Sequence, residues 1–212
     1  MSLSIKIIQS LLEEELPGEQ AHLEMSPLGR TRSSEAIKNA KFVQNSAVAL
    51  VLYQTEETLK SILIQRPIYK GNHSGQVCLP GGKKEDFETN LEQTAIRECI
   101  EETGLIRNHL NLLGALTPVY IPVSNHHVQP YVFSYSTTPD FVPDPREVAE
   151  IIPFNIKDIL EVKKIQTTDI RITNEHILKQ VPYYEIQQKV VWGATAIILH
   201  EFKVICERWE TK

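Results

Sequence analysis

Glu98, Glu101 and Glu102 stand at i, i+3 and i+4, directly behind Arg97, in the stretch RECIEETG. On a helix, like charges at this spacing destabilise by about 0.2–0.5 kcal/mol per pair. Carboxylates so placed converge on one point beyond the helix surface. Hard divalent cations such as Mg²⁺ take oxygen ligands of this kind, with waters and substrate phosphates completing the shell. A cation would remove the repulsion; a solvated acidic ridge is the other reading. Arg97 can pair with Glu101 one turn on, reach back to Glu88, or meet a phosphate. His73, His126 and His127 lack helical HxxxH spacing, so zinc is the poorer match.

The acids need a helix to carry them. Thr89 and Glu92 have the S/T-x-x-E spacing of a capping box, and Gly104 stands where a glycine stop belongs. The punctuation predicts a helix over about 90–103. Leu91, Ala95, Ile96, Cys99 and Ile100 then span roughly half its circumference as the buried face, and the three acids fall within roughly 100° of arc beside it. They line the margin of the packed face, where other protein surrounds them.

Around that helix, the chain reads as an ordinary globular sequence. Its 212 residues, 42% hydrophobic, suit one domain with a sizeable core and an extension. A net charge of −5 disfavours a general nucleic-acid binder, and no helix shows a Lys/Arg-rich face. Cys78, Cys99 and Cys206 are too few and too scattered for a disulfide framework or a cysteine-based zinc site. Reduced thiols, no signal-peptide pattern and no long apolar run together predict a cytoplasmic protein without a membrane span.

Ile5, Ile8, Leu12 and Leu16 recur at helical spacing up to Pro17-Gly18 and predict an amphipathic helix, which packs on the core or serves a homodimer contact. Residues 1–40 read as an N-terminal helical extension, with 19–40 irregular or helical in pieces. Strands are predicted at 46–54 and 59–66 as a hairpin, then at 111–121, 128–136 and 181–192. Residues 67–82 are loop-rich, 156–163 form a short helix, and a closing helix starts at Gly193. The fold class is α/β or α+β, a mixed sheet with flanking helices.

The segment GGKKEDFETNLEQTAIRECIEETGL resembles the Nudix box, G-x5-E-x7-R-E-U-x-E-E-x-G-U, where U is a bulky apolar residue. Gly82, Glu88, Arg97, Glu98, Glu101, Glu102, Gly104 and Leu105 match it. Eight residues, not seven, separate Glu88 from Arg97, and Cys99 fills an apolar slot. That extra residue is similar to the spacing of the coenzyme A diphosphatase branch. The branch also carries an upstream motif, R-S-x3-R-x-H-x-G-Q-V-x-F-P-G-G. RPIYKGNHSGQVCLPGGK resembles it at Arg66, His73, Gly75, Gln76, Val77, Pro80, Gly81 and Gly82. Pro67, Gly71 and Leu79 depart from it, with Lys70 a candidate for the charge missing at 71. The resemblance covers roughly residues 45–205.

The resemblance implies a Nudix-like α/β/α sandwich over 41–212 and an enzyme that hydrolyses a diphosphate by water attack at phosphorus. Its implied cofactor is Mg²⁺ or Mn²⁺, held by Glu98, Glu101, Glu102 and the backbone carbonyl of Gly81. Glu88 positions Arg97. The general base is Glu101, Glu102 or one of the acids in PREVAE, Glu147 or Glu150. The implied substrate is coenzyme A or a derivative, met by Arg66, Lys70, His73, Gln76 and Lys83. Loop fixing is the other reading for Gln76 and Ser74. Tyr69 and Tyr120 are candidates to stack on adenine. ADP-ribose or a dinucleotide is the alternative substrate. A non-catalytic nucleotide-sensing module is the alternative class, but it would be marked by lost box acids.

Overall fold

The computed structural model describes residues 3–69, 73–172 and 177–209. The helices are α1 (Ile5–Leu12), α2 (Glu19–Glu24), α3 (Ser33–Ala36), α4 (Leu91–Thr103), α5 (Lys157–Leu160) and α6 (Gly193–Glu207). The strands are β1 (Gln44–Gln54), β2 (Leu59–Gln65), β3 (Val77–Cys78), β4 (Gly81–Lys83), β5 (Leu110–Ala115) and β6 (Val119–Ile121). They continue as β7 (His126–Tyr135), β8 (Glu150–Asn155), β9 (Gln166–Arg171), β10 (Ile177–Ile186) and β11 (Lys189–Trp192). Strand β1 is the spine of a mixed sheet. It runs parallel to β7 from Gln44 beside His126 to Tyr53 beside Tyr135, and antiparallel to β2 and β4.

Side chains alternate across β1, so its two faces build two cores. Ala47, Ala49, Val51 and Tyr53 pack on Ala95, Ile96 and Cys99 of α4. Leu50 and Leu52 face the other way, towards Ile8 and Leu12 of α1 and Ile198, Phe202 and Ile205 of α6. The result is a mixed sheet flanked by helices, as anticipated. The apolar face of α1 is spent inside the chain, with Ile8, Leu11 and Leu12 buried. Strands β9, β10 and β11 form a second, antiparallel sheet. No helix among the described residues is long and apolar enough to cross a membrane.

Several boundaries differ from the sequence expectation. Helix α1 stops at Leu12 rather than at Pro17-Gly18. Three successive acids, Glu13 to Glu15, follow it, and negative charge is unfavourable at a helix C-terminus. Helix α4 is capped by Asn90, whose side chain accepts from the Gln93 N–H at 3.0 Å, while Thr89 donates to Gln93 Oε1. The capping box is thus shifted one residue from Thr89–Glu92. Gly104 is the left-handed stop expected, with φ 74°. The strand expected at 111–121 breaks into β5 and β6 around Thr117-Pro118, since proline has no N–H for the ladder. The strand expected at 181–192 is a hairpin of β10 and β11, turned by Gln187 and Gln188, both at positive φ.

A buried carboxylate on α6 helps tie the N-terminal segment to it. Glu201 accepts from the Gly18 N–H at 3.1 Å and the Thr117 N–H at 3.0 Å, and lies 3.1 Å from His22 Nε2. Burial pushes its carboxyl up, but the bonds to His22 and Thr117 outweigh this and hold it below the usual range. In Glu201→Gln one oxygen becomes an NH₂ facing other donors. Breaking such a site should cost about 3 kcal/mol, or about 6–12 °C in Tm for a chain of this size. Calorimetry showing no shift in Tm would remove Glu201 from this role.

Candidate active site

The site is built where β4 passes between β1 and α4. Gly81, Gly82 and Lys83 pair with Val48, Ala47 and Ser46 of β1. A Cβ on Gly81 would lie 2.3 Å from the Ala47 carbonyl oxygen and 2.6 Å from Val48 Cα. A Cβ on Gly82 would lie 2.4 Å from the Glu98 carboxylate. Only a backbone without side chains passes this close to both neighbours.

Glu102 enters the site from α4, buried, and accepts the Gly81 N–H at 2.8 Å. Its carboxyl is pushed up to about 8, by burial first, with Arg66 and the Gly81 N–H pulling against the rise and Glu98 and Glu147 adding to it. Glu98 is likewise raised, first by burial, against its bond to Arg97. Oxygens of Glu98, Glu102 and Glu147 all lie within 4.8 Å of one another. Glu147 arrives from a turn whose neighbours are fixed: Val148 is buried and the Ala149 N–H donates to Gln65 O at 2.8 Å. Three hard oxygen donors gathered at this range, one of them buried, fit Mg²⁺ or Mn²⁺ and not a sulfur- and nitrogen-seeking metal.

Arg97 organises the acids beside the cluster. Its Nε donates to Glu88 at 2.9 Å, Nη1 to Glu98 at 2.8 Å and to Glu101 at 2.9 Å, and Nη2 to Lys83 O at 2.9 Å. Both sequence alternatives for Arg97, Glu88 and Glu101, therefore hold at once. Glu88 is buried and also accepts from the Glu85 N–H and the Thr94 hydroxyl. Burial raises its carboxyl, but Arg97, Glu85 and Thr94 outweigh that and hold it below the usual range. Glu101 is 53% exposed and turned onto Arg97, outside the cluster of Glu98, Glu102 and Glu147. Of the two acids in PREVAE, Glu150 opens β8 and is engaged by Lys189 at 2.8 Å, while Glu147 is the one in the cluster.

The upstream segment reaches the same place. Arg66 Nη2 donates to the Gly81 carbonyl at 3.3 Å and lies 3.7 Å from Glu102. His73 Nδ1 is 3.0 Å from Gln76 Oε1, and Ser74 Oγ accepts the Tyr69 N–H. Gln76 and Ser74 thus fix the loop. Lys83 is exposed beside a cleft lined by Phe42, Gln44 and Asn45. Lys70 lies outside the described residues. Tyr120 is 3% exposed with its hydroxyl donating to Asn125, so it packs rather than offering a face to adenine. Sequence reasoning missed Ser46, whose hydroxyl bonds His126 Nδ1. A lone serine opening a strand carries no signal of its own.

Comparison with known proteins points one way. Residues 43–178 match the NUDIX domain. The chain is 30% identical over 158 residues to the Nudix hydrolase NudL of Pectobacterium atrosepticum, covering 74% of this chain and 81% of that protein. The fold resembles the M. smegmatis Nudix hydrolase RenU, with a TM-score of 0.52, 15% identity, and coverage of 79% and 86%. It also resembles the MutT protein of Methanosarcina mazei Go1, with a TM-score of 0.52, 18% identity, and coverage of 82% and 100%.

Proposed function

The chain belongs to the Nudix hydrolase family, and from that premise we propose that it cleaves the diphosphate of coenzyme A or its derivatives. The products are 3',5'-ADP and 4'-phosphopantetheine, or its acylated form. The observation that supports this most is the position of Arg66. It opens the upstream segment and bonds the Gly81 carbonyl beside Glu102, so the two motifs with the branch resemblance share one site.

Glu98 and Glu102 would hold the cation, Mg²⁺ or Mn²⁺. When bound, it supplies charge neutralisation at the phosphoryl oxygens and lowers the pKa of an attacking water. The protein supplies the rest through position. The Gly81 N–H orients Glu102, and Arg97 orients Glu98. Glu88 holds Arg97 from one side and Glu101 from the other. Glu147, exposed on its turn and next to both ligands, takes the proton of the attacking water. Arg66 holds the Gly81 carbonyl and offers charge to the substrate.

Glu101 acts here through Arg97, as a positioning residue. Glu101→Gln should therefore lower kcat only about tenfold, the lower end for an outer-shell partner. Steady-state kinetics showing a loss as large as in Glu98→Gln would make Glu101 a ligand instead. The substrate reading is tested by kcat/KM for coenzyme A, ADP-ribose and a diadenosine polyphosphate under Mg²⁺ and Mn²⁺. Coenzyme A should lead; a clear lead for another substrate would move the specificity while keeping the reaction.

A further inference from the structure

A second set of groups, cationic or neutral, stands on the face of β1 turned away from α4 and meets the acid cluster through Arg66, which acts on His126 and lies 3.7 Å from Glu102. Ser46 on β1 faces Val128 on β7, so His126, two residues earlier, lies on the same side of the sheet. Lys83 pairs with Ser46 from β4, on that side as well. Ser46 is 3% exposed, and its hydroxyl bonds His126 Nδ1. Burial and then the charges of His73, Arg66 and Lys83 push the His126 ring below its usual range. Among the described residues, the charged groups that act on it are cations and another imidazole.

His73 is prepared in a similar way. Its backbone sits at φ 66°, a left-handed conformation uncommon outside glycine. Its Nδ1 is tied to Gln76. Both rings thus have Nδ1 engaged, and among the described residues neither Nε2 has a hydrogen-bond partner. Two oriented imidazoles and a lysine suit a phosphate oxygen.

We propose that His126, held by Ser46, forms with His73 and Lys83 a second anion subsite for a phosphomonoester of the substrate, the 3'-phosphate of coenzyme A. The inference rests on the coenzyme A reading above. The diphosphate belongs at the acid cluster, because cleavage occurs there. A further phosphate on the ribose is what separates coenzyme A from ADP-ribose and from dinucleotides. The cleft beside Lys83, lined by Phe42, Asn45, Lys84, Glu85 and Asp86, gives room for the nucleoside that carries it.

The test compares kcat/KM for coenzyme A and 3'-dephospho-coenzyme A in the wild type, His126→Gln and Lys83→Met. The wild type should prefer coenzyme A by about tenfold or more, and each variant should lose about tenfold of that preference. Isothermal titration should show the same loss for 3',5'-ADP relative to 5'-AMP. Melting temperatures check the folding of both variants; Lys83 is exposed, so its variant decides if His126→Gln does not fold. Equal cleavage of both substrates by the wild type would overturn the subsite and leave the substrate reading standing. A preference that survives in the folded variants would also overturn it. Cleavage of neither substrate would remove the coenzyme A reading, and the subsite with it.

Discussion

Glu102→Gln should abolish turnover while leaving the protein at least as stable in cation-free buffer. Its amide oxygen can still accept the Gly81 N–H that the carboxylate accepts at 2.8 Å. The substitution relieves a buried carboxyl crowded by Glu98 and Glu147, whose oxygens lie within 4.8 Å of its own, where charge costs free energy. Without its charge the cluster loses its hold on the cation. A loss of about a hundred- to a thousandfold in kcat is expected, since one lost electrostatic contact to a transition state is worth about 2.7–4 kcal/mol. The wild type should gain Tm with Mn²⁺ and the variant should not. Retained activity, or an unchanged Mn²⁺-induced gain in Tm, would exclude Glu102 as a ligand.

The adjacent glycines should fail in different ways. In Gly81→Ala the new methyl meets backbone, the Ala47 carbonyl and Val48 Cα, so β4 must leave β1. Overpacking of this kind costs about 1–3 kcal/mol, and here it also withdraws the N–H that orients Glu102. Activity and Tm should fall together, with activity down at least about a hundredfold. In Gly82→Ala the methyl first meets the end of the Glu98 side chain, which can rotate away. Tm should then hold while activity falls, because Glu98 moves off Arg97 and out of the cluster. Loss of Tm in Gly82→Ala as great as in Gly81→Ala would show that backbone and not Glu98 sets the limit there.

Much of this site was legible because its signals are local. The i, i+3, i+4 acids, the Gly104 stop and the apolar face of Ala95, Ile96 and Cys99 sit on one helix, where periodicity is informative. The split between Glu101 and the other two acids was not legible. A wheel places all three within one arc, but which of them meets Glu147 depends on where β4 and the 144–149 turn lie. The choice between Glu147 and Glu150 required knowing that Lys189, far along the chain, holds Glu150. The carboxylate of Glu201 sits in the apolar stretch GATAIILHEFKVICERW, and its donors at Gly18 and Thr117 come from distant segments. Strand β9, QTTDIR, has no apolar alternation, and the Gln187–Gln188 turn lacks glycine and asparagine, so neither carried a strand or hairpin signal.

The most direct measurement is mass spectrometry of the products formed from coenzyme A, with and without Mg²⁺ or Mn²⁺, by the wild type and Glu102→Gln. The wild type should release 3',5'-ADP and 4'-phosphopantetheine only when the cation is present, and Glu102→Gln should release neither. Intact coenzyme A after incubation with folded, cation-loaded wild type, or cleavage at any bond other than the diphosphate, would contradict the account.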